Sequence, residues 1–126
     1  MLEEKDYVMR IIHEMIRTMV KLLLNIDMDD GKQEVLSDGV MADEYGRLLS
    51  MIADGRINEA ENRLYEFLDE DNTDHLELAL RFYDKLNELD DEALERAGFS
   101  RDEVKEGLMR TARIYGCEGF IDTGMY

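Results

Sequence analysis

The stretch Asp54–Leu68, DGRINEAENRLYEFL, has the form of a bend followed by an amphipathic helix. Gly55 suits the left-handed position just beyond a helix end, where a side chain would be strained. Ile57, Ala60, Leu64 and Phe67 then recur at steps of three, four and three, which places them on one helical face. Asn58 and Glu61 have capping-box spacing and predict the start of that helix, which runs from about Arg56 to Asp69. Upstream, Met41, Tyr45, Leu48 and Ile52 step by four, three and four and predict a helix over Gly39–Ala53. The two together make a short αα-hairpin.

The segment Tyr45–Leu68 resembles a tetratricopeptide (TPR) repeat. Aligned on Gly55, the seam residues Met51, Ile57, Ala60, Leu64 and Phe67 fall at apolar or small positions of that motif. Ala60 lets two antiparallel helices approach closely while Ile57 and Leu64 fill the seam. Glu44 stands at the tryptophan-like position, Leu48 replaces the small residue of the first helix, and no proline closes the unit. One period onward, Leu89 and Leu94 stand at the Gly55 and Ala60 positions, so a second repeat is not formed. Solenoid repeats bury their faces against one another. A single unit therefore implies TPR-like hairpin geometry and not a peptide-binding array.

Working outward, the chain of 126 residues contains no proline. Proline breaks helices and punctuates loops, so its absence favours helices joined by glycine and aspartate turns. Six glycines mark breaks before the tail: Gly31, Gly39, Gly46, Gly55, Gly98 and Gly107. The expected fold is all-α, a single-domain bundle of about six helices with TPR-like antiparallel hairpins and a long N-terminal helix over residues 1–28. Residues 39–97 form the hairpin region, 100–115 the last helix and 116–126 an irregular tail.

In the first helix, Leu2–Met28, apolar residues from Tyr7 to Ile26 occupy a sector wider than one core requires. Either the other helices wrap it or a second chain does. Tyr7, Arg10, Ile11, Met15, Arg17, Met19 and Leu22 are the candidate interface, with the arginines placed to meet carboxylates of a protein partner or a homodimer mate. Met9, Met15, Met19 and Met28 add adaptable surface of the kind partners use. Three further helices follow. One is capped by Asp74 and Glu77 and carries Leu76, Ala79, Leu80, Tyr83 and Leu86. A short one begins at Asp90 or Asp91 and stops before Gly98. The last is capped by Ser100 with Glu103 and presents Val104, Leu108, Ala112 and Tyr115.

The net charge of −16 is uneven. Residues 1–28 hold four basic and five acidic side chains, and the remainder holds eleven and twenty-six. Phosphate backbones and anionic bilayers repel such a surface, which argues against nucleic-acid and membrane partners. The apolar run Met19–Ile26 is too short to span a bilayer and contains Lys21. No basic-then-apolar leader opens the sequence, so a cytoplasmic location is expected.

One cysteine, Cys117, precludes an internal disulfide and a multi-cysteine zinc site. Glu66 with Asp69, and Glu88 with Asp91, have the spacing of paired metal-binding acids. They resemble those of all-helical, magnesium-dependent nucleotide pyrophosphohydrolases of the MazG-like class, which is the alternative reading of function. With 31 acidic residues among 126, such pairs arise readily by chance, and Glu92/Glu95 and Glu103/Glu106 repeat the spacing. Asp27–Asp38 matches a calcium loop at its first and third positions but has Lys32 where glycine is needed and lacks the closing glutamate. His13 and His75 have no ligand partner at zinc spacing, and Ser37, Ser50 and Ser100 lack a nucleophile-elbow context. No phosphate-cradling glycine loop is present. Catalytic, cofactor-binding and metal residues are not expected. A peptide adaptor, with a groove between the second and third helices taking a basic peptide, is a third possibility.

Asp6-Tyr7-Val8-Met9-Arg10-Ile11-Ile12, Phe82–Leu89 and Gly98-Phe99-Ser100-Arg101-Asp102-Glu103 resemble a small uncharacterised bacterial family, over most of the chain. That resemblance implies an all-helical, TPR-like fold, no assigned activity and no catalytic residues to carry over.

Overall fold

The computed structural model describes residues 4–24, 39–117 and 119. Among the described residues six α-helices build the bundle: α1 Glu4–Met19, α2 Gly39–Ala53, α3 Ile57–Phe67, α4 Thr73–Glu88, α5 Asp91–Arg96 and α6 Arg101–Ile114. Among the described residues there is no strand.

α4 is the central element. Leu76, Leu78, Ala79, Leu80, Phe82, Tyr83 and Leu86 are all buried, because α1, α2 and α6 pack around it. α1 also packs along α6. Its inner face, Ile12, Met15, Ile16 and Met19, is completely buried, so the chain's own helices take up that part of the broad apolar sector. The first helix is α-helical to Met19 and continues as a π-helical turn, Val20–Leu24. Lys21 and Leu22, both in this π turn, are exposed. The rest of the predicted first helix, the connection to Asp38 and nearly all of the tail lie outside the described residues.

The α2–α3 turn is a Schellman motif. Gly55 has φ +78°, its N–H donates to the Ile52 carbonyl and the Arg56 N–H donates to the Met51 carbonyl, each at 2.9 Å. α3 does not begin as the capping-box spacing predicts. Arg56 is the N-cap and no side chain caps it; Asn58 instead donates to the Gly98 carbonyl, and Glu61 accepts from Tyr83. Both residues are drawn into contacts more distant in sequence. α4 likewise starts earlier than predicted, with Asn72 as its N-cap accepting from the Asp74 N–H at 2.9 Å. Ser100 caps α6 as predicted, its hydroxyl accepting from the Glu103 N–H at 3.1 Å and donating to that carboxylate. Gly39, Gly46 and Gly107 are not breaks but helical residues of α2 and α6.

Candidate functional site

The outward face of α1 is a straight row of exposed side chains. Tyr7, Arg10, Glu14 and Arg17, followed by Lys21 in the π turn, recur at steps of three, four, three and four. Tyr7 is 53% and Leu22 52% exposed, two of the three large hydrophobic residues that reach solvent among the described residues. Arg17 lies 3.9 Å from Glu14. Of the predicted contact residues, Tyr7, Arg10, Arg17 and Leu22 therefore face outward and Ile11 is half-buried. Met15 and Met19 are a correction. Both are fully buried against the chain's own helices, so neither can contact a partner while the fold is intact.

Beside this face lies a shallow groove between α1 and the α5–α6 corner. Val8, Leu94 and Phe99 line its apolar part, and Asp91, Glu95, Ser100, Arg101 and Asp102 supply the polar lining. Arg101 shapes it from beneath. Its guanidinium is buried and donates to the Asn87 and Leu89 carbonyls at 2.8 and 2.7 Å, and to the Asp91 carboxylate at 2.8 Å. A cation thus closes the C-terminal end of α4, where unpaired carbonyls concentrate negative potential. Sequence reading missed this role, since Arg101 looked like an ordinary first-turn residue behind the Ser100 cap. Asn87, also buried, donates from Nδ2 to the Met9 carbonyl at 3.0 Å and joins α4 to α1.

In the α2–α3 hairpin, Ile57, Ala60 and Leu64 are buried, while Met51 and Phe67 are partly buried. Glu44 closes the open end of the hairpin. Only 4% exposed, it accepts from Arg63 Nε at 2.5 Å and from Arg63 Nη2 at 3.1 Å, with Arg47 3.6 Å away. That end of the hairpin is thus held by an ion pair, and the pocket there is lined by Glu44, Arg47, Arg63 and Phe67 among others.

On the opposite side of α3, a polar chain runs through the packing of three helices. Tyr83 donates to Glu61 at 2.7 Å and its hydroxyl oxygen lies 2.8 Å from that of Tyr65. Tyr65 donates to the Gly107 carbonyl at 2.8 Å, and Thr111 donates to the same carbonyl at 3.1 Å. The Arg110 guanidinium lies 4.0 Å above the Tyr65 ring, a cation–π contact. Burial pushes the Tyr83 phenol well above the ordinary tyrosine range and raises that of Tyr65 as well, so both act as neutral donors. Burial likewise raises the Glu61 carboxyl, with the Tyr83 hydrogen bond opposing it. This network is a structural clamp between α3, α4 and α6.

Elsewhere the acidic pairs are exposed. Glu88 lies 3.3 Å from Lys85, and Asp91 is held by Arg101. Among the described residues no three His, Cys, Asp or Glu side chains are grouped to hold a metal ion. The calcium-like stretch Asp27–Asp38 lies outside the described residues. His75 Nδ1 accepts from the Asp69 N–H and its ring packs on Phe67. Cys117 is buried. Among the described residues no helix is long and apolar enough to cross a membrane.

The fold defines an all-helical bundle with a long N-terminal helix. A family model matches residues 2–116, and the chain belongs to that family, the family of unknown function DUF6483. No curated protein and no solved structure matches the chain.

Proposed function

We propose that this is a non-catalytic, cytoplasmic protein that docks on another protein chain through the outward face of α1. One observation carries the reading. In a chain of net charge −16, the exposed row between Tyr7 and Leu22 presents Arg10, Arg17 and Lys21 against one carboxylate, Glu14, with aromatic and aliphatic surface at its two ends. Aromatic and arginine side chains together are the residue types that dominate protein interfaces. A locally basic strip on an acidic body also steers an acidic partner to one place and repels it elsewhere. The TPR-like geometry of the α2–α3 hairpin belongs to the same reading as scaffold. Arg63 and Glu44 occupy its open end, which leaves α1 as the better docking surface.

A photo-crosslinking amino acid placed at position 7 in the producing cells tests the reading. A discrete protein adduct is expected there and not at position 54, on the exposed hairpin turn. Absence of any adduct at position 7, with the protein folded, overturns it.

A further inference from the structure

We infer that the partner on this face is a second copy of the same chain, related by a two-fold axis that places Tyr7 and Arg10 of each copy against the α5–α6 groove of the other. The inference rests on the docking role of α1 proposed above.

Two features of the surface lead to it. First, face and groove are neighbours. Val8 lines the groove and is bonded in sequence to Tyr7, which stands on the exposed face. One continuous surface therefore carries both an aromatic ring and an apolar recess. A two-fold interface needs such a surface, because whatever residue i does to residue j, residue j of the other copy must do to residue i. Second, the charges are complementary and uncommitted. Among the described residues Arg10 makes no ion pair, and neither do Glu95 and Asp102. By contrast, the guanidinium groups of Arg56, Arg63, Arg96 and Arg101 are all engaged. Arg10 is one helical turn from Tyr7, so a tyrosine seated in the opposing groove carries the arginine toward that groove's acidic rim.

An unrelated acidic protein satisfies Arg10 but leaves Glu95 and Asp102 facing its like charge. A second copy satisfies both sets at once. The two-fold also brings Arg10 to an acidic rim, so that two bodies of charge −16 attract locally while repelling elsewhere.

Charge exchange tests the pairing, read by sedimentation equilibrium of the full chain at micromolar concentrations in about 0.15 M salt, where screening extends over roughly 8 Å. The wild-type chain is expected to dimerise. Arg10→Glu and Glu95→Lys, each creating two like-charge contacts across the axis, are each expected to weaken the dimer by at least about tenfold. The double variant is expected to recover dimerisation, since its charges are exchanged rather than lost. A monomeric wild-type chain, or a double variant no better than the single ones, overturns the inference. Circular dichroism confirms that each variant is folded, and if one is not, the position-7 adduct decides. An adduct of twice the chain mass supports the second copy. An adduct to a different protein overturns it while leaving the docking role intact, and no adduct overturns both.

Discussion

A Cβ added to Gly107 of α6 would stand 2.6 Å from Cε1 of Tyr83 in α4, closer than carbon atoms can approach without something moving. The glycine is what allows these two helices to meet where the Tyr65–Tyr83–Glu61 chain crosses between them. Neither the ring nor the α6 backbone is free to withdraw, because Tyr83 is fully buried and the Gly107 carbonyl is bonded by Tyr65 and Thr111.

Gly107→Ala is therefore expected to destabilise the protein despite the better helix propensity of alanine. Overpacking costs about 1–3 kcal/mol and outweighs the roughly 1 kcal/mol gained in propensity. Gly46→Ala provides the control. Gly46 is also helical, but nothing lies within 4 Å of the point an alanine methyl would occupy, so alanine there should stabilise. Urea denaturation of the two variants should give shifts of opposite sign; equal signs would show that the close approach at Gly107 is not tight.

Arg101→Met should cost about 2–4 kcal/mol, because it leaves the Asn87 and Leu89 carbonyls without their donor at a buried helix end. Arg101→Lys should recover only part of this, since one ammonium cannot reproduce the planar fork. Thermal unfolding of the pair checks both the size and the order.

The Glu44–Arg63 pair should respond asymmetrically. Glu44 is buried whereas the Arg63 side chain is 43% exposed. Arg63→Ala strands a buried carboxylate with only Arg47 near it, while Glu44→Gln leaves an arginine that can turn to water. The melting temperature should fall further for Arg63→Ala; the reverse order would mean that Glu44 is solvated in solution.

Glu61 gives a pH signature whose sign follows from its raised carboxyl. The folded protein binds the proton more tightly than the unfolded chain, so this contribution to stability is fully present below the ordinary glutamate value of 4.5 and is lost as pH rises through the higher folded value. Glu61→Gln mimics the protonated side chain and keeps an acceptor for Tyr83. It should be more stable than the wild type at pH 7, with the difference shrinking toward zero near pH 4. A constant difference across that range would assign the effect to packing instead.

The local signals were the legible ones. Gly55 and Ser100 were readable because a Schellman turn and a serine cap are each completed by atoms within a few residues. The seam of Ile57, Ala60 and Leu64 was readable because helical periodicity alone aligns it. Asn58, Glu61 and Arg101 were misread or passed over, since their partners, Gly98, Tyr83 and the end of α4, lie ten or more residues away. A helical wheel of α1 showed an apolar sector too wide for one neighbour but could not say whose side chains cover it.

The sequence by itself determined that the chain is all-helical, where several helices begin and end, and that its surface is strongly acidic. Each of these depends on backbone propensity, short-range hydrogen bonds or composition, which need no knowledge of the fold. Only the tertiary structure decided that Met15 and Met19 face inward while Tyr7 and Arg10 face outward, that Gly107 yields to a tyrosine, and that Arg101 is buried. Those assignments depend on which helix lies against which, and packing of α1, α4 and α6 joins residues whose separation along the chain carries no local signal.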